Sequence, residues 1–126
     1  MSDLIQSLAY ASSGMEAQAA RLRHVSENIA NADTPGYHRK LVAFRDMVDS
    51  GRVEAGPVEL DQTPLPVIFD PGHPMADATG HYQGSNVDLV VEIADAREAS
   101  RSYEANLKIF DQARQMTRNL LDLLKR

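Results

Sequence analysis

Apolar residues recur along the first quarter of the chain at alternating steps of three and four. Leu4, Leu8, Ala11, Met15, Leu22, Val25, Ile29 and Ala32 keep that rhythm, with Gln18 its single polar member. A stripe this narrow predicts a helix over about residues 3 to 32 that packs as a coiled-coil seam. Gly14, preceded by Ser12 and Ser13, is a weak point in it. The last third repeats the pattern. Ile93, Ala96, Tyr103, Leu107, Phe110, Thr117, Leu121 and Leu124 share the stepping, with Ser100 and Arg114 in between. Ala113, Met116, Leu120 and Leu123 widen the apolar face towards the end. Glu98 and Arg101, Glu104 and Lys108, and Asp122 and Arg126 stand at helical spacing, each pair adding about 0.2–0.5 kcal/mol. Ser85, three residues before Asp88, resembles a capping box ahead of this run. A helix of about 38 residues would be roughly 57 Å long, more than so small a chain can wrap.

Between these stripes the pattern dissolves. All six prolines lie between Pro35 and Pro74, and six of the seven glycines between Gly36 and Gly84. Asp33-Thr34-Pro35-Gly36 stops the first helix: Pro35 drives Thr34 out of the helical region, and Pro-Gly suits the centre of a type II turn. Thr34, Pro35, Gly36 and Tyr37 form a candidate turn motif, with Tyr37 packing at the corner. Beyond it, Val53, Pro57 to Leu60 and Leu65 to Phe69 favour short β pieces, which the prolines confine to edges or short hairpins. The expected fold is mainly α. A long amino-terminal helix occupies 1–34, an irregular Pro/Gly-rich segment with short β pieces 35–86, and a long carboxyl-terminal helix 87–126. The two helices form a coiled-coil-like pair.

Two narrow stripes pressed together cannot bury all the apolar side chains they carry, so the seams call for other subunits. Leu8, Met15, Leu22, Val25 and Ile29 on the first helix, and Tyr103, Leu107, Phe110, Leu121 and Leu124 on the second, are the candidate interface residues. Asn28 and Asn31 join them. Their amides sit near the helix end, where they can satisfy a neighbour's backbone or the helix's last free carbonyls.

Composition narrows the classes of function. The chain has 126 residues and a net charge of −5, with a pI near 5.2. Its one short basic cluster, His38-Arg39-Lys40, is flanked by acidic and apolar residues, which argues against nucleic acid. No apolar run approaches the roughly 20 residues of a membrane span. The amino end, with Asp3 and no basic or apolar leader region, predicts no Sec-type signal peptide. Zero cysteines exclude disulfides, thiolate metal sites and a cysteine nucleophile. Asp70, His73, Asp77 and His81 have metal-ligand chemistry, but their spacing would need a helix that Pro71, Gly72, Pro74 and Gly80 forbid. No nucleophile elbow, Walker loop or dinucleotide fingerprint occurs, and His24 reads as an interfacial or solvated residue. The expectation is a protein that is not an enzyme and holds no cofactor or metal.

The stretch Ser26-Glu27-Asn28-Ile29-Ala30-Asn31-Ala32-Asp33-Thr34-Pro35-Gly36-Tyr37 closely resembles the signature of the flagellar rod and hook family. There, an amino-terminal helix ends in Ser-x-Asn-Ile-Ala-Asn followed by Thr-Pro-Gly-Tyr. Asp70-Pro71-Gly72-His73-Pro74, Asn86 to Glu92 and Glu98 to Asn106 look like the corresponding stretches of a proximal rod protein. A sister proximal rod protein, the nearest alternative, usually has Asn-Tyr where this chain has Gly36-Tyr37. Distal rod and hook proteins carry much larger middle domains. The resemblance implies export through the flagellar type III apparatus and polymerisation, with other rod proteins and with itself, into the periplasm-spanning rod of the basal body. It also implies torque transmission along that rod. The competing reading is a self-contained helical-hairpin adaptor for one soluble partner. Circular dichroism of the isolated chain separates the two: stable helices for an adaptor, frayed termini for a rod subunit.

Overall fold

The two proline-free ends fold as helices and pack antiparallel. The computed structural model describes residues 2–47 and 52–125. Helix α1 spans Ser2–Ala30 and α2 spans Leu89–Leu124. Strands β1 (Lys40–Met47), β2 (Arg52–Leu60), β3 (Val67–Phe69) and β4 (His81–Gln83) lie between them. β1 pairs with β2 and β3 with β4, each as a separate two-stranded antiparallel sheet.

The helix ends follow from local chemistry. Asn31 donates through Nδ2 to the Glu27 carbonyl at 2.8 Å, satisfying one of the last free carbonyls of α1. Thr34 Oγ1 then donates to Asn31 Oδ1 at 3.0 Å. The Tyr37 amide closes the turn on the Thr34 carbonyl at 3.2 Å. Gly36 has φ +74, the left-handed value that the third position of a type II turn requires. At α2 the capping differs from the sequence expectation. Asp88 is the N-cap, accepting from the Val90 amide at 3.0 Å, whereas Ser85 Oγ accepts from the Val87 amide at 3.1 Å. Ser85 therefore braces the turn before the helix, and an Asp in that position favours the positive end of the helix dipole.

The middle is more regular than expected. β1, absent from the sequence reading, has eight residues and β2 nine. Their register shifts between Val42 and Phe44, which pair with Val58 and Ala55, so Gly56 and Pro57 occupy the irregularity. A proline there sacrifices no ladder hydrogen bond. The hairpin is fastened to α1, where the Val53 amide donates to Ser13 Oγ at 3.1 Å.

Where the helices meet, the seam is built from small residues. Ala11, Val25, Ala99 and Ala113 are buried apolar side chains along it. Gly14 lies so near α2 that a methyl group on it would come 2.6 Å from Asn106 Nδ2. Gly14 meets Asn106 and Asn28 meets Glu92, so facing positions add up to 120 at both crossings. This seam corrects the sequence expectation. Positions 4, 11, 18 and 25 of α1, and 96, 103, 110 and 117 of α2, belong to it as expected. Its second line, however, is Ser7, Gly14, Arg21 and Asn28 against Glu92, Ala99, Asn106 and Ala113. The larger line, Leu8, Met15, Leu22 and Ile29 with Ile93, Leu107 and Leu121, sits one residue away, about 100° around the helix. Both lines obey the same three-four stepping, and close backbone approach selects the smaller one.

Candidate assembly surface

The loop leaving α1 is tied to both helices by a buried polar corner. Asn28 is 1% exposed. Its Oδ1 accepts from the Tyr37 hydroxyl at 2.8 Å and the Lys40 amide at 2.8 Å. Its Nδ2 donates to the Lys40 carbonyl at 3.0 Å and to Glu92 Oε2 at 3.3 Å. One amide side chain thus pairs with both backbone groups of Lys40, as a neighbouring strand would. Tyr37 occupies the corner, and burial there raises its hydroxyl pKa.

Glu92, fully buried in α2, receives Arg39 Nε at 2.6 Å. The same guanidinium reaches Asp61 at 3.4 Å and Asp95 at 3.6 Å. Burial alone would lower the Arg39 pKa, but hydrogen bonding and attraction from Glu92 and Asp61 outweigh it and raise it. The Arg39 amide donates to Asn86 Oδ1 at 2.6 Å, and Asn86 Nδ2 donates to the carbonyls of Asp61 and Thr63. Arg21 bridges α1 to Asp95 and Glu98 at 3.2 and 3.4 Å, and Lys40 Nζ lies 2.6 Å from Glu27 Oε2. Four segments far apart in sequence are locked at one point. Arg39, Asp61, Asn86 and Glu92 were not legible as partners, although a charged Glu92 amid Leu89-Val90-Val91 and Ile93 is the kind of signal that asks for a buried counter-charge.

The structure distributes the expected interface residues unevenly. Val25 and Asn28 are buried within the chain itself: the small-residue seam takes Val25 and the corner takes Asn28. Asn31 is half-buried and spends its amide on its own helix. Leu8, Met15, Leu22, Tyr103 and Phe110 are half-buried. Ile29, Leu107, Leu121 and Leu124 are exposed, Leu124 to 78%. Thr34 and Gly36 are exposed, with Pro35 and Tyr37 half-buried beside them. His24, read as interfacial or solvated, is mostly covered, with Nδ1 3.8 Å from Glu27.

The β3–β4 lobe is fastened to the turn after α1, where the Gly36 amide approaches the carbonyls of Gln83 and Gly84. His73 stacks on Tyr82 with ring centroids 3.9 Å apart, and Phe69 tilts against His81 at 5.0 Å. Asp77 Oδ1 accepts from the Thr79 hydroxyl and from the amides of Thr79 and His81. The Thr79 hydroxyl bond leads the contributions that hold the Asp77 carboxyl below its usual range. Among the described residues no three of His, Asp and Glu gather as a metal-holding group. No described helix is long and apolar enough to cross a membrane.

Comparison with known proteins matches these two halves to one family. Residues 8–38 match the family model described as flagella basal body rod protein. Residues 78–123 match the one described as flagellar basal body rod FlgEFG protein C-terminal. The flagellar basal-body rod protein FlgC of Agrobacterium fabrum is 46% identical over 126 residues, covering 91% of each chain. The FlgC of Salmonella typhimurium is 35% identical over 125 residues, covering 90% of this chain and 92% of that protein. The FlgC of Borreliella burgdorferi is 32% identical over 149 residues, covering 97% and 98%. With the helix pair, the Pro-Gly turn and the short β middle in place, these likenesses put the chain in the FlgC family of flagellar basal-body rod proteins.

Proposed function

We propose that the chain is a structural subunit of the proximal rod, exported through the flagellar type III apparatus, polymerised through its terminal helices and transmitting torque along the rod. Its site of action is the flagellar basal body, its partners are other rod proteins and further copies of itself, and the role needs neither catalysis nor a cofactor. The observation that carries this reading is the doubled line of the helices. The intrachain seam is sealed with Ala and Gly, while Ile29, Ile93, Leu107 and Leu121 stay 39–48% exposed one residue to the side. Apolar side chains in that arrangement are stabilised when another subunit covers them. The polar corner supports the mechanical part of the role, because it makes the hairpin and both helices one body.

Substitution tests separate the lines. Ile29→Asp and Leu107→Asp keep a soluble monomer but abolish rod incorporation and swimming in a strain lacking the native subunit. Val25→Asp places a charge inside the seam and disrupts the monomer itself. Normal swimming with both surface substitutions would overturn the assembly reading. Fully stable helices in the isolated chain would favour the adaptor.

A further inference from the structure

Two stretches of the chain differ in charge. From Val53 to Ala96 the chain has eight Asp and Glu and no Lys or Arg. From Arg97 onward it has seven Lys and Arg against four Asp and Glu, so the two stretches carry −8 and +3. Within the fold, Asp61, Glu92 and Asp95 are matched by Arg39 and Arg21. Asp70, Asp77 and Asp88 meet backbone amides and a hydroxyl but no Lys or Arg among the described residues. Arg118 and Lys125, in the last turns of α2 and its cap, likewise form no ion pair among the described residues.

Each stretch also carries exposed apolar side chains. On the β3–β4 lobe, Val67 and Phe69 are each 66% exposed and Met75 65%. A cavity of about 460 Å³ opens there between Val67, Met75, Asp77 and Tyr82, beside Pro35 and Gly36. On α2, Leu123 and Leu124 are 62% and 78% exposed. The chain cannot bring these surfaces together itself. α2 leaves the lobe at Leu89 and runs 36 residues away from it, about 54 Å. An open polymer, by contrast, needs two different complementary surfaces on each subunit.

We propose that the β3–β4 lobe is the acceptor for the basic, leucine-rich carboxyl end of a helix built like α2, presented by the adjoining rod subunit. Leucines of that helix end enter the cavity beside Val67 and Met75, and its Arg and Lys side chains face Asp70 and Asp77. The inference rests on the rod-subunit reading and names which surface its terminal helix covers.

The test places a photo-crosslinking benzoylphenylalanine at Met75, in full-length protein expressed in a flagellated strain lacking the native subunit. Irradiated basal bodies are digested and the adducts mapped by mass spectrometry. The expected adduct is a peptide from the carboxyl-terminal helix of a rod subunit, whether a second copy or another member. Adducts to an amino-terminal helix, a middle segment or a protein outside the rod would overturn the proposal, as would none in swimming cells. Asp77→Asn provides a second reading, since its carbonyl oxygen keeps the turn's hydrogen bonds while the charge is lost. Incorporation falls about 2- to 5-fold at low salt, the range of an exposed ion pair, and the deficit shrinks as salt screens the wild type. An unchanged level would count against the charge pairing. Failure of the wild-type gene to restore motility would sink the rod reading instead, so the two failures are distinct.

Discussion

Arg39 and Glu92 meet at 2.6 Å inside the corner where the α1 loop crosses the start of α2. Glu92 is completely covered, so removing Arg39 leaves a carboxylate with a weakened set of partners in a low-dielectric site. Arg39→Met should cost about 3–5 kcal/mol, and exchange of the Lys40 amide, which Asn28 holds, should accelerate at least about a hundredfold. Combining it with Glu92→Gln should cost less than the sum of the single changes. Hydrogen exchange on the purified chain checks both statements; additive costs would mean that the pair does not act as a unit.

The seam at Gly14 can admit a methyl group but no larger side chain. Its neighbour across the seam is the far end of Asn106, which can turn aside. Gly14→Ala gains about 1 kcal/mol of helix propensity, offset by that displacement, and is expected to be nearly neutral. Gly14→Leu has no such escape and should push the helices apart, with loss of helical circular dichroism. Asn106→Ala should let the Ala variant show its full gain in helix propensity and leave the Leu variant defective.

Replacing Pro35 and Gly36 together by alanine removes the steric stop and forces a side chain into the left-handed region that Gly36 occupies at φ +74. The amide of Gly36 also approaches the carbonyls of Gln83 and Gly84 at 3.1 and 3.2 Å, so reorientation disturbs the lobe as well as the helix end. An exported subunit that fails to incorporate is the expected phenotype, with Asn31→Ala milder because it loses one helix-end hydrogen bond. Wild-type motility of the double variant would take the turn out of the mechanism.

Carboxylates set the acid limit of the middle segment. Hydrogen bonds from Thr63 lead in lowering the Asp61 pKa, those from Thr79 in lowering Asp77, and that from Lys40 in lowering Glu27. A carboxyl depressed on folding stabilises the fold above its unfolded pKa, about 3.9–4.3, and that stabilisation vanishes as pH falls through the folded value. Lys40 is shifted upward by its bond to Glu27, so its share is complete below about 10.4 and lost above its folded pKa. The neutral range therefore holds both contributions. An NMR titration should show the Thr63 and Thr79 amides losing their shifts only below the usual carboxylate range; changes near pH 6 would contradict this.

Much of the helical part was legible because its signals are local. Asn31, Thr34, Pro35 and Gly36 lie within six residues of one another, and each acts on its immediate backbone. The period of the stripes was also legible, but their rotation was not. Leu22 and Arg21 fit neighbouring lines equally well, and Arg21 belongs to the seam only because Asp95 and Glu98 stand opposite. The corner required knowing that residues 28, 39, 61, 86 and 92 converge, which no local pattern carries. β1 escaped notice because Leu41 to Phe44 form an unbroken apolar run without the alternation that marks a half-buried strand.

The sevenfold spacing of the seam makes its length discrete. Gly14, Arg21 and Asn28 follow one another at intervals of seven, as do Glu92, Ala99, Asn106 and Ala113. Deletion of one residue from either helix turns everything beyond it by about 100°. Leu22 then takes the place of Arg21, the guanidinium loses Asp95, and the face meant for other subunits folds inward. An added heptad preserves every pairing. The helices can therefore diverge in sequence position by position, yet change size only in whole repeats, leaving growth of the subunit to the segment between them.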